Sequence, residues 1–388
     1  MNQVNEDKET AQLSIPSFGR YKNRELTFQA VQDIAVGATF LGAGGGGATY
    51  PTELQLNQLV KQDTSIKLID HSDLNDDDLV VACGWLGAPG VQKEKYPSGK
   101  EGIAGLGALE VALGRPITAI FPIEIGGQNG VNPLVLAAQT GIPVVDCDGM
   151  GRAFPQANMV TFNIYGCNAT PAVASDTEGN SVVLNTKDDR TLERLIRHLS
   201  IAMGGQCHLF DYPLTGEQTK KFAVKGTISL AWDIGLVIRE ARQSKCDPFN
   251  ALFDYLKTTK DYCHVYSLFE GKIVDLERNF RGGFSVGKVT IQGLGQEGQM
   301  EVEFQNENLI ALQDGQLRAI VPDIISILDQ DTAEAINTEN LKYGQRVRVV
   351  ATSISELLRS EKALSVVGPE AFGLSHPFQP VEVLNDSV

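Results

Sequence analysis

Ile117-Thr118-Ala119-Ile120-Phe121, then Val131 through Thr140, then Ile142-Pro143-Val144-Val145: this stretch decides the fold. Two short β-branched runs, bounded by glycine and proline, flank a segment of helical character, so the runs read as strands. Upstream the same rhythm recurs. Leu79 to Cys83 is another β-rich run, Gly102 to Leu113 another helical one, and Ile66 to Ile69 adds a further strand. Strand, helix, strand, helix in that order predicts an α/β domain built on a mainly parallel sheet with helices on both faces.

Working outward, Phe28, Val31, Ile34, Ala35 and Ala38 fall three or four apart, which is helical spacing. Gly42 ends that pattern. Pro51 opens a second helix, where its missing N–H costs nothing. From Thr191 to Lys260 the chain reads as mostly helical, with one helix marked by Leu192, Leu195, Ile196 and Leu199 and a longer one by Ile228, Trp232, Gly235 and Ile238. Beyond Cys263 the character changes. Gly271-Lys272, Gly282-Gly283 and Asp314-Gly315 each sit beside β-rich runs, which are hairpin signals, and short strands continue to Arg346–Val350. The expected organisation is a polar tail over 1–24, an α/β domain with a helical extension over 25–262, and an all-β, barrel-like domain over 263–388. No internal repeat is evident.

The 388 residues carry 33 basic and 48 acidic side chains, a formal charge of −15. That sign argues against a generic grip on nucleic acid or an anionic membrane, both of which need a positive face. A small-molecule substrate is the expected partner. No apolar run approaches the ~20 residues needed to span a bilayer, and Met1 to Arg24 has no apolar core like that of a signal peptide. The expectation is a cytoplasmic protein, assembled as a homo-oligomer. Cys83, Cys147, Cys167, Cys207, Cys246 and Cys263 form no CxxC pair and read as reduced thiols.

Gly42-Ala43-Gly44-Gly45-Gly46-Gly47 satisfies G-x-G-x-x-G, and Asp70 follows Gly47 by 23 residues. A dinucleotide fingerprint needs a strand before the glycines. The residues there read as a helix, so NAD is not expected. Consecutive glycines are tolerated where backbone must approach something closely, and this loop leads into the amino end of the Pro51 helix, which favours an anion. Gly44, Gly45, Gly46 and Gly47 are therefore candidate substrate contacts, against the alternative of a tight turn packed under the sheet.

Ligands of open parallel sheets bind beyond the carboxyl ends of the strands. Three loops qualify: Gly84 to Gly90, Pro122 to Gly130, and Asp146-Cys147-Asp148-Gly149-Met150-Gly151-Arg152-Ala153-Phe154-Pro155. Asp146 and Asp148 are paired carboxylates, which suit acid–base work when their protonation states differ. Arg152 is shaped to grip a carboxylate bidentately, or to pin the loop by pairing with an aspartate. Glu124, among apolar neighbours, is a candidate base or acid, and Asn129 a candidate donor to the substrate. Cys147 is a poor nucleophile candidate, because two flanking aspartates oppose its ionisation. Asp146, Asp148 and Glu124 could form an oxygen-rich site for a divalent cation; whether a metal is used stays open. Cys207-His208 and Cys263-His264 lack zinc spacing, and there is no HExxH, P-loop lysine or G-x-S-x-G elbow.

From Asp148 to Pro155 the chain resembles the S-methyl-thiohydantoin desulfurase domain family. Phe40 to Gly47, Glu124 to Asn129, Ala202 to Gly205, Gly226 to Ala231, Phe304 to Leu309 and Val367 to Gly373 resemble it in the same order, covering about residues 26 to 375. The resemblance implies an α/β domain followed by a β-barrel domain. It implies hydrolytic removal of sulfur from a thiohydantoin ring to leave a hydantoin, alongside a hydantoinase/oxoprolinase-type partner. The chain departs from the family's pattern at Cys147, where a small residue such as Gly or Ala is expected, so the chemistry is not expected to need that thiol. On this reading the base is Glu124 or Asp148, Arg152 and the glycine-loop amides hold an anionic group, and Asn129 orients the ring. The alternative is a non-catalytic or regulatory subunit of a hydantoinase-like complex, with Phe304 to Leu309 as an interface strand.

Overall fold

The computed structural model describes residues 26–60, 66–87, 91, 95–281, 284–295 and 298–386. The polar tail, the Ala88-Pro89-Gly90 end of the first loop and the Gly282-Gly283 turn lie outside those residues. Helix α1 (Phe28–Leu41) begins where the Thr27 hydroxyl accepts the Ala30 N–H at 3.2 Å and buries Val31, Ile34, Ala35 and Ala38, the residues whose spacing marks it. The glycine loop follows, then α2 (Tyr50–Val60). Next come β1 (Leu68–Ile69), β2 (Leu79–Gly87), α3 (Glu101–Leu113), β3 (Ala119–Pro122), α4 (Gln128–Thr140), β4 (Val144–Val145) and β5 (Cys147–Asp148). Helices α3 and α4 stop at Gly114 and Gly141, whose φ angles of 68° and 76° suit glycine at a helix end. Strands β1, β4, β3 and β2 pair in parallel, in that order.

The sheet does not continue in parallel. After α5 (Thr161–Ile164) come β6 (Ala172–Ser175), β7 (Ser181–Leu184), α6 (Asp189–Ala202), β8 (Gln206–Thr215), α7 (Gly216–Phe222), β9 (Val224–Lys225), α8 (Thr227–Gln243) and α9 (Pro248–Leu256). Strand β8 lies antiparallel to β2, β6 antiparallel to β8, and β7 antiparallel to β6. The sheet is therefore mixed, which corrects the expectation of a mainly parallel one. The reason lies in β8, inside a region that reads as helical. Nearly every residue of it is buried, so it shows no in–out alternation. It also holds a bulge: Ala82 pairs with Asp211 and Val81 with Pro213, leaving Tyr212 as the extra residue at a φ of 47°.

Helix α8 packs backbone to backbone on α1. A Cβ on Gly37 would stand 1.9 Å from Ala231 O, and one on Gly235 would stand 1.9 Å from Asp33 O. Arg239 closes the contact with a bidentate pair to Asp33, at 2.7 and 2.9 Å.

The remaining strands are β10 (Val265–Arg281), β11 (Phe284–Gly293), β12 (Gln299–Gln305), β13 (Glu307–Gln313), β14 (Gln316–Ile320), β15 (Ile324–Asp329) and β16 (Arg346–Thr352). They form one antiparallel sheet in the order β14-β13-β12-β11-β10-β16-β15. It curls around Ile273, Val289, Ile291, Met300, Val302 and Val349. The Asn308 amide donates to Ile325 O at 2.9 Å, drawing β13 and β15 together, but among the described residues no ladder joins the edge strands β14 and β15. The result is a curled half-barrel where a barrel-like domain is expected. Asn308 N–H donates to Ala43 O at 2.7 Å, Thr338 N–H to Gly44 O at 2.8 Å, and the Ser326 hydroxyl to Phe40 O at 2.7 Å, seating this sheet against the end of α1 and the glycine loop. No helix among the described residues is long and apolar enough to cross a membrane.

Candidate active site

A cavity of about 320 Å³ opens between the two sheets. Gly44 to Gly47 form one wall. The carboxyl end of β2, from Gly84 to Gly87, forms another, with Ile123, Glu124 and Asn129 beside it. The tight turn between β12 and β13 delivers Asn306 and Glu307 from the opposite side. That turn is possible because Asn306 takes a φ of 59°, a conformation asparagine tolerates. Asp211 faces in from β8, and Arg197 and Arg278 also line the space.

Glu124 is buried. Its Oε1 accepts from Asn129 Nδ2 at 2.7 Å and its Oε2 from Phe154 N at 3.1 Å. Burial pushes its pKa up to about 8. Glu307 is buried as well, with no hydrogen-bond partner on Oε2. Burial, and then the charge of Glu124, push its pKa to about 8 too. Because the charge on Glu124 raises Glu307, the two do not ionise together: below pH 8 both tend to hold their protons, and around pH 8 the pair comes to carry one charge and one proton. The two accepted N–H bonds favour the charge on Glu124 and leave the proton to Glu307.

The glycine loop is shaped by protein as much as by open space. Gly44, Gly46 and Gly47 hold φ angles of 89°, 74° and 78°, the left-handed region. A Cβ on Gly45 would stand 2.0 Å from Glu307 Oε1. Only a bare backbone lets this carboxyl sit where it does.

Asn129 lines the cavity, yet its amide hydrogens go to Trp85 O at 3.1 Å and to Glu124, and its Oδ1 accepts the Trp85 N–H at 2.6 Å. It is a brace for Glu124 and β2, not the free donor to a ring that the sequence reading assigns. Asp148 lies behind Glu124. Its Oδ2 accepts from Ile125 N, Met150 N and Gly151 N at 2.9, 3.1 and 2.7 Å, tying two loops together. Burial nevertheless raises its pKa to about 7. Asp146 binds the amino end of α8: its Oδ1 accepts from Ile228 N and Ser229 N at 2.9 and 3.1 Å, and its Oδ2 accepts the Ser229 hydroxyl. Neither aspartate is among the residues that line the cavity, where the sequence reading expects them at the substrate.

Arg152 does not line the cavity either. It is fully buried, and it donates to backbone carbonyls of Ala153, Pro322, Asp323 and Asn308 at 3.0, 3.1, 2.8 and 3.1 Å. It joins the α/β half to the curled sheet. Asp146, Asp148 and Glu124 serve separate loops, and among the described residues no three His, Cys, Asp or Glu side chains gather to hold a metal ion. Cys147 is buried, and burial, Asp148 and Asp146 hold its thiol well above the ordinary range.

Three residues emerge only from the structure. Glu307 lies in the Phe304–Leu309 stretch, whose motif is visible but whose role depends on where the turn lands. Asp211 is hidden in the strand that reads as helix. His208 is buried, and burial lowers its pKa to about 3, so it is neutral. Its Nε2 accepts from Asn132 Nδ2 at 2.7 Å, and Asn132 Oδ1 accepts from Trp85 Nε1 at 3.0 Å. That chain fixes the indole at the cavity wall.

No curated protein matches the chain. A crystal structure of a protein from Chromobacterium violaceum superposes with a TM-score of 0.78 at 24% identity, covering 92% of this chain and 100% of that one, which establishes the shared fold. The family model described as the S-Me-THD-like N-terminal domain matches residues 29–186, and the one described as the C-terminal domain matches residues 187–381. With both matches running end to end through the cavity-forming segments, the chain belongs to the S-methyl-thiohydantoin desulfurase domain family.

Proposed function

We propose that the protein hydrolyses a thiohydantoin-type five-membered ring at the carbon bearing sulfur, leaving a hydantoin. One observation carries this reading: Glu124 and Glu307, each pushed to about 8, border one cavity beside a side-chain-free loop. A volume of about 320 Å³ lies at the small end of ligand pockets, the scale of a small heterocycle.

The chemistry follows from the proton arrangement. Water adds to the ring carbon while ionised Glu124 takes one of its protons. Glu307 gives its proton to the ring nitrogen or to the departing sulfur, so charge does not build up in a dry site. The C–S bond breaks as the tetrahedral adduct collapses. Sulfur leaves as sulfide from a thione, or as a thiol if it carries an alkyl group, and the new carbonyl oxygen comes from water.

The test is sulfide or thiol release from a panel of thiohydantoins by the purified protein, with Glu307→Gln as the variant. Loss of an acid–base group costs roughly 10²–10⁴-fold, and a fall of that size is expected. Turnover by the protein alone supports the reading. Turnover only with a hydantoinase-type partner present, or undiminished turnover in the variant, overturns it.

A further inference from the structure

We infer that Asp211 is the ring-recognition residue of this cavity, pairing its carboxyl with an adjacent N–H and C=O on the substrate in a two-point hydrogen bond. The inference rests on the ring-hydrolysis reading and narrows its substrate class. Leu209 and Asp211, two residues apart on β8, both line the cavity. Asp211 is 1% exposed, and neither of its carboxyl oxygens has a hydrogen-bond partner in the protein. Buried polar groups are almost always satisfied, so one left bare at a cavity wall points to a ligand.

The neighbourhood decides which form of the group is present. Burial, with Asp189 and Glu193 on α6 as the nearby charges, holds the Asp211 carboxyl well above its ordinary range and therefore neutral. A neutral carboxylic acid offers one O–H donor beside one C=O acceptor. The edge of a cyclic imide offers the complement, an N–H next to a carbonyl or thiocarbonyl. A carboxylate offers acceptors only and would fit that edge at one point.

The backbone beside Asp211 is unusual in a way that fits a working position. Tyr212, the extra residue of the bulge, is buried at a φ of 47°, in a region that bulky residues rarely adopt. Its N–H leaves the ladder for Ala169 O at 3.1 Å, and its hydroxyl donates to Asp189 Oδ2 at 2.5 Å. Strained residues and bulges collect next to sites, where they fix the direction of a neighbouring side chain.

The substrate class that follows is a ring whose imide nitrogen is unsubstituted. Calorimetric binding of hydantoin and of hydantoin methylated at the imide nitrogen, to wild type, Asp211→Asn and Asp211→Leu, tests it. Wild type is expected to prefer the free N–H ring by at least tenfold. Asp211→Asn keeps a donor beside an acceptor and should keep that preference. Asp211→Leu should lose it and bind the two rings alike. If Asp211→Leu unfolds, the wild-type preference and its retention in Asp211→Asn still decide the matter. Equal binding of the two rings by wild type, or a preference that survives in a folded leucine variant, overturns the inference. Sulfur release that depends on Glu307 while ring preference ignores Asp211 sinks this inference alone. Ring preference that follows Asp211 without any sulfur release sinks the desulfurisation reading alone.

Discussion

Replacing Glu124 with Gln should make the protein less active and, above neutral pH, more stable. The sign comes from linkage. Glu124 has a folded pKa of about 8 against an ordinary 4.5, so between those values the folded state holds a proton that the unfolded chain has released. Stability is fully present below the ordinary value and falls as pH rises through the window, at ~1.4 kcal/mol per unit. Above pH 8 the accumulated penalty is about 5 kcal/mol, shared with Glu307 because the two titrate as a pair. Glutamine escapes that penalty but has one acceptor where Glu124 has two. Either Asn129 Nδ2 or Phe154 N then faces an amide hydrogen, at a cost of ~1–3 kcal/mol. The variant should be ~1–3 kcal/mol less stable than wild type near pH 5 and ~2–4 kcal/mol more stable near pH 9. Urea unfolding at pH 5, 7 and 9 measures the difference. A stability gap between the two proteins that is constant across that range would refute the raised pKa, and with it the shared proton on which the mechanism depends.

Two further outcomes follow. Arg152→Met deletes the guanidinium donors to Ala153, Pro322, Asp323 and Asn308 carbonyls; a stability loss of ~3–5 kcal/mol is expected in urea unfolding, and a loss below 1 kcal/mol would mean Arg152 is no strut. Cys147→Ala should leave sulfur release unchanged, and native wild-type protein should resist thiol reagents at that position, because the buried thiol stays protonated; peptide mapping after brief labelling reads this directly.

The parts of the fold that repeat with a clear period were legible in the sequence. Helix α1 shows its buried face at three- and four-residue spacing, and the β3–α4–β4 unit is bounded by the glycines and prolines that end it. Strand β8 was not legible, since a strand buried on both faces loses alternation and its bulge slips the register at Tyr212. That one strand turns the sheet from parallel to mixed. At the site, the buried setting of Glu124 was readable because its apolar and glycine neighbours are local in sequence. Arg152 was not, because a guanidinium fork fits four backbone carbonyls as well as a substrate carboxylate, and only the seating of Pro322, Asp323 and Asn308 says which it meets. Asp146 and Asp148 look like an acid–base pair in a row of letters, yet β5 and the start of α8 turn them toward backbone N–H groups.

The placement of the two glutamates gives the two-sheet architecture a chemical purpose. Glu124 stands on the loop after β3 and Glu307 at the first residue of β13, so neither half of the molecule contains the pair. Both carboxyls are buried, Glu307 packs against Gly45 of the other half, and its proton is held in part by the charge on Glu124. A hinge opening between the sheets would let water in, separate the charges and return both groups toward ordinary carboxylic acids. The contacts that prevent this are the ones the glycine loop and Arg152 make: Asn308 N–H on Ala43 O, Thr338 N–H on Gly44 O, and a guanidinium across the seam. On the proposed mechanism Arg152 would act without touching the ring, by fixing the separation of the two glutamates and by its charge, which draws both of their pKa values down. The same logic explains Gly45, since any side chain there would displace Glu307 and dissolve the pair before substrate arrived.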